Sequence, residues 1–168
     1  MATLRPRLLV RGIEVVPGEI VDVVGVMPQS QNWHIRVGVA NSGGSKARII
    51  ESNLTFTKTN PFSDGFKIVL PTFPPYSKER KSFGRFTVEA GEHTERMVQL
   101  DFDMTMRLKL QRTIRAGGGG AGNSMYCMGF FQYQDTFRVT RRTAFSFRYD
   151  TETERFERVD NSDYNYAD

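Results

Sequence analysis

Few side chains in this sequence are of the kinds that make or break bonds. Cys127 is the single cysteine, and His34 and His93 are the two histidines. A thiolate nucleophile or a zinc site would have to be assembled from these and from carboxylates. Cys127 has neither histidine near it in sequence and lies among Met125, Tyr126, Met128 and Phe130, a setting that predicts an inert buried thiol. A lone cysteine forms no internal disulfide, so it says nothing about compartment. His34 falls on the polar parity of an alternating segment and reads as an exposed strand residue. Asp101 and Asp103 lie two apart, on one face of a strand, as paired acids or hard-cation ligands would. The same alternation makes that face a solvent face. Gly117, Gly118, Gly119 and Gly120 run together, with Gly122 close behind. A phosphate cradle requires a Lys-Ser/Thr pair or a helix whose first amides point at the anion. Here the chain from Met125 onward alternates as a strand, so the glycines predict a hairpin connection. No catalytic residue, metal or cofactor is expected from this set.

Binding is the chemistry that remains. The chain has 23 Lys+Arg against 19 Asp+Glu, a formal charge of +4, and the distribution matters more than the sum. Basic residues gather at Lys78, Arg80 and Lys81, at Arg112 and Arg115, and at Arg138, Arg141 and Arg142, while residues 150–168 are acidic. Such clusters are either solvated loops and strand faces or a surface for the phosphates of nucleic acid or anionic lipid. On the second reading Arg112, Arg115, Arg138, Arg141 and Arg142 are the anion-binding candidates. Phe73 and Tyr76 sit in a proline-bearing excursion beside Lys78, Arg80 and Lys81. Together with Tyr164 and Tyr166 these are the candidate partner-binding residues, for a protein or a second copy of the chain, because aromatic side chains dominate the energetic centres of interfaces. A third reading makes Trp33 a stacking platform for a small ligand or sugar, but its shared parity with Ile35 and Val37 predicts burial.

The elements that would carry these residues are strands. In residues 100–110, Leu100, Phe102, Met104, Met106, Leu108 and Leu110 fall on one parity and Asp101, Asp103, Thr105, Arg107 and Lys109 on the other. This is a strand pattern in spite of helix-favouring Met and Leu. Further strands are predicted over 8–16 and 21–27, separated by Pro17-Gly18, then through Trp33, Ile35, Val37 and Val39, and over 47–58 after a turn at 41–45. Residues 60–65, 70–82 and 115–124 read as connections. In residues 125–150, Cys127, Gly129, Phe131 and Tyr133 share one parity. After a turn at 135–140, Thr143, Phe145, Phe147 and Tyr149 share one again. This is a hairpin with aromatic faces, in which Gly129 relieves crowding opposite a large ring. Residues 151–168 read as a solvated edge strand and a partly loose acidic tail, with residues 164–166 as a means of pinning it.

With 168 residues, 39% hydrophobic, the chain predicts one domain over residues 1–168. Its fold is an all-β antiparallel β-sandwich, immunoglobulin-like, with a C-terminal aromatic hairpin. Its apolar runs, such as Leu8-Leu9-Val10 and Ile68-Val69-Leu70, fall far short of the roughly 20 residues that span a bilayer. The first residues, Arg5 and Arg7 and an apolar stretch broken by Arg11 and Glu14, lack the apolar core of a secretory signal. Read from Met1 as a start, the chain stays in the cytoplasm; read as a fragment, its destination lies with what precedes it.

Residues 129–137, Gly-Phe-Phe-Gln-Tyr-Gln-Asp-Thr-Phe, then residues 142–150, Arg-Thr-Ala-Phe-Ser-Phe-Arg-Tyr-Asp, and finally Tyr164-Asn165-Tyr166 resemble the end of a largely uncharacterised family of bacterial envelope proteins. Those proteins carry N-terminal transmembrane helices before an extracytoplasmic β domain. Val39-Ala40-Asn41-Ser42-Gly43 followed by Ala47 resembles an earlier strand-turn-strand element of the same family. Arg138 stands where that family usually has glycine, Ser146 where it often has cysteine, and no spanning segment is present. The resemblance implies a domain displayed at an envelope, a noncatalytic interaction or structural module and accessory subunit of a larger assembly, and it transfers no catalytic residue.

Overall fold

The alternating segments become strands largely where their patterns place them. A computed structural model of the protein describes residues 5–18, 33–58, 81–100, 105, 125–150, 152–160, 165 and 167. In chain order the strands are β1 (Leu8–Val16), β2 (His34–Asn41), β3 (Ala47–Lys58), β4 (Phe86–Val88), β5 (His93–Gln99), β6 (Met125–Gln134), β7 (Thr140–Asp150) and β8 (Arg155–Arg158). They form a three-stranded sheet, β1-β2-β5, and a five-stranded sheet, β4-β3-β6-β7-β8. Every pairing is antiparallel. The two sheets share one apolar core: Leu8, Val10, Ile13, Ile35, Val37 and Val39 from the first meet Ile49, Leu54, Phe131, Tyr133, Phe145 and Phe147 from the second.

Two irregularities keep the alternation in step with that core. In β1 the register shifts between Val10 and Gly12, so Val10 and Ile13 both point inward although they lie three apart. In β3 a shift between Ile49 and Glu51 does the same for Ile49 and Leu54. Phe131 sits at the centre of the aromatic packing, with ring centroids 5.6 Å from Phe83, 6.0 Å from Phe86 and 5.7 Å from Phe145.

The hairpin of β6 and β7 is buried on both faces near its middle: Tyr126, Met128, Phe130, Ala144 and Ser146, on the parity opposite Phe131, are buried as well. Val159 packs against Tyr126 and Met128. In the acidic tail, Asn165 and Ala167 are tied to the body. The Asn165 side chain accepts from the Ser146 amide at 3.0 Å and donates to the Val159 carbonyl, and Ala167 bridges Thr143 beyond the end of β8. One expectation is corrected: the strand predicted over residues 100–110 does not run through Thr105, whose backbone is helical and whose side chain is fully buried. Its hydroxyl accepts the Trp33 amide at 3.2 Å, which satisfies it in the interior. Residues 21–27, 60–65 and 115–124, Asp101 and Asp103 lie outside the described residues. Trp33 is buried, as its parity predicts, and His34 is half-buried.

Cys127 is fully buried on the inner face of β6, and burial pushes its thiol well above the ordinary range. A thiol pKa raised by folding leaves stability unaffected below the unfolded value, about 8.5, and removes stability as pH rises above it. Two outcomes are expected: no reaction of native Cys127 with a thiol reagent until the chain unfolds, and a C127A variant whose stability falls less than the parent's between about pH 8.5 and 10. Unfolding curves across that range, beside thiol titration of the native protein, check both.

Candidate binding surface at one end of the sheets

Strand register collects several chain reversals at one end of the molecule. Leu8 pairs with Asn41, Ala40 with His93, Ala47 with Val88, Arg48 with Gln134 and Gln134 with Thr140. The entry to β1, the turns at 42–46 and 89–92 and the β6–β7 connection at 135–139 therefore lie together.

Asn41 ties three of these segments. Its buried side-chain oxygen accepts from the amides of Arg7 and Gly43, both at 3.0 Å. Its nitrogen donates to the carbonyls of Ser45 at 2.8 Å and Val88 at 3.1 Å. The entry segment packs so closely on the turn that a Cβ at Gly43 would lie 2.0 Å from the Arg5 carbonyl oxygen, which makes glycine the residue that fits there.

The β6–β7 connection is built around Asp135. One carboxylate oxygen accepts from the amides of Phe137 at 2.8 Å and Val139 at 2.9 Å, while the backbone of Asp135 bonds Arg138 and Val139. The other oxygen lies 3.7 Å from Nε of Arg141, an ion pair longer than a hydrogen bond, with both side chains largely buried. Arg138 has φ 63°, a left-handed conformation that glycine adopts far more readily than arginine. The turn holds Phe137 and Val139 out of the core, 80% and 47% exposed.

The sequence candidates separate accordingly. Arg138 is exposed at the tip. Arg141 turns inward to Asp135, and Arg142 is half-buried with its guanidinium 3.9 Å above the Phe130 ring. Lys81 lies elsewhere, its backbone bridged to Leu54 of β3. Phe73, Tyr76, Lys78, Arg80, Arg112, Arg115, Tyr164 and Tyr166 lie outside the described residues. Exposed Arg5, Arg7, Lys46 and Arg48 share the end with Arg138. Its acidic residues are Glu51, Glu89, Glu92 and the engaged Asp135. The 89–92 turn follows β4, which lies beyond β3 from the hairpin. Sequence reasoning missed Phe137 and Val139; the available signal was an apolar pair inside a predicted turn, beyond the last core parity. Among the described residues no cluster of three His, Cys, Asp or Glu is placed to hold a metal ion, and no helix is long and apolar enough to cross a membrane.

Comparison with family models, with curated proteins and with solved structures returned no match.

Asp135→Ala removes the acceptor for two turn amides and leaves Arg141 without its carboxylate. Charge-assisted hydrogen bonds contribute about 1.5–3 kcal/mol, but the amides released here are near solvent. A stability loss of about 2 kcal/mol is expected in urea denaturation, and Asp135→Asn, which retains the acceptor oxygen, is expected to lose about half as much.

Proposed function

We propose that this chain is a noncatalytic interaction module whose working surface is the end carrying the β6–β7 connection. The observation that carries the proposal is Phe137, held 80% exposed by a turn whose hydrogen bonds converge on Asp135. A rigid aromatic side chain outside the core is the kind of residue from which interfaces draw most of their energy. The finer architecture fits an immunoglobulin-like β-sandwich, a scaffold that presents loops at its ends for recognition. The resemblance of residues 129–150 to bacterial envelope proteins supports a place as an accessory subunit of an envelope-associated assembly.

The test is a photoreactive phenylalanine analogue at position 137, with the same analogue at exposed Glu152, in the turn at the opposite end, as control. Adducts from position 137 and not from 152, in cells making the full chain, are expected. No adduct, or equal yields from both positions, overturns the reading.

A further inference from the structure

We propose that this end docks on an anionic lipid surface, with Phe137 and Val139 entering the headgroup region and the surrounding cations resting on the phosphates. The inference rests on the proposal that the hairpin end is the working surface, and it names the partner. Three observations carry it. Phe137 and Val139 flank Arg138 and are 80% and 47% exposed, so the tip itself alternates apolar and cationic groups. Arg5, Arg7, Lys46 and Arg48 are exposed at the same end; the acidic 89–92 turn lies beyond β3 from the hairpin, bonded to Asn41. Arg138 occupies a left-handed backbone conformation that costs a non-glycine residue stability, which is consistent with a charge retained there for use.

The arrangement favours a lipid surface over other acidic partners. Nucleic acid takes cations along a backbone and planar rings against bases, and an exposed valine beside the phenylalanine serves neither contact. At a membrane, apolar tips enter the headgroup boundary while arginine and lysine stay at the phosphates, and each cation near an anionic surface strengthens binding about fivefold.

The test is co-sedimentation of the full chain with vesicles of phosphatidylcholine alone and of phosphatidylcholine with one-quarter phosphatidylglycerol. Binding to the second and not the first is expected, weakening as salt rises. F137D is expected to weaken it about tenfold or more, because it replaces the ring that enters the headgroup region with a negative charge. R138G is expected to weaken it about fivefold while raising Tm, since glycine relieves the left-handed residue; a purely structural arginine would give no loss of binding. F137D must keep the parent's Tm, and K46E, at an exposed cation of the same end, serves as a second charge variant if it does not. Equal binding to both vesicles, or binding unchanged in F137D and K46E, overturns the inference. So does a preference for duplex DNA over vesicles that F137D leaves intact. If vesicles fail while position 137 yields a protein adduct, the lipid assignment falls and the interaction module stands. If position 137 yields no adduct at all, both fall.

Discussion

Replacing Gly129 with alanine is expected to lower the unfolding free energy by at least about 3 kcal/mol, a large share of the roughly 5–15 kcal/mol that holds a domain together. Gly129 lies in β6 opposite Leu54 of β3 on one side and Phe145 of β7 on the other. A Cβ there would stand 2.0 Å from the carbonyl oxygen of Asn53 and 2.8 Å from Cζ of Phe145. The ring can rotate or slide by some tenths of an ångström. The carbonyl cannot, because it belongs to β3 in the middle of the five-stranded sheet, and moving it shifts the β3–β6 ladder. Gly12 supplies the control: a Cβ there meets nothing within 4 Å, so Gly12→Ala is expected to change stability by less than about 1 kcal/mol. Urea denaturation of the three proteins decides the matter, and a loss at Gly129 no larger than that at Gly12 would refute it.

Gly129 also marks how far sequence reading reaches. That a large ring lies opposite was legible, because Gly129 shares parity with aromatic residues on a strand whose hairpin partner has the same pattern. The tighter contact, with the backbone of Asn53, was not legible, since nothing in the sequence says which strand flanks β6 on its other side. The same division recurs across the fold. The limits of β1 and β3 follow from their apolar content and flanking turns. Their bulges do not, because an extra residue leaves composition unchanged and shows only as a parity slip. β5 escaped the pattern because Arg96, at an inward position, places its guanidinium 4.3 Å from the Phe86 ring centroid and so breaks the apolar alternation while remaining in contact with the core. An inward charge on an edge strand also discourages pairing with another chain.

At the candidate surface, Arg138, Arg141 and Arg142 form one cluster in the sequence and three environments in space. A strand sends Arg141 and Arg142 to opposite faces, and a turn separates Arg138 from both. The exposure of Phe137 depends on the left-handed backbone at Arg138 and on two amides bound by Asp135. Those are properties of the turn geometry, which apolar content alone does not specify.

Asn41→Ala is expected to cost about 3 kcal/mol, the largest effect of any polar substitution proposed for this protein. All of the side chain's hydrogen-bonding capacity is engaged, with the oxygen taking two amides and the nitrogen reaching two carbonyls. Each such bond contributes about 1 kcal/mol net, and the loss falls on groups that cannot all turn to water, the Val88 carbonyl bond being buried. Asn41→Asp is the sharper variant. It preserves shape and the accepting oxygen, but sets a second oxygen against the carbonyls of Ser45 and Val88, where only a donor is tolerated. A loss as large as that of the alanine variant is therefore expected, with faster amide exchange at Arg7 and Gly43 in Asn41→Ala only. If Asn41→Asp proves as stable as the parent, the two carbonyls do not depend on the amide nitrogen and the junction is held by its backbone bonds, from the Asn41 amide to Glu92 and from the Gly91 amide to Asn41. The fold would then fix this end of the sheets without the side chain, and the turn at 42–46, Gly43 apart, could vary in sequence without moving Arg48 relative to the hairpin tip.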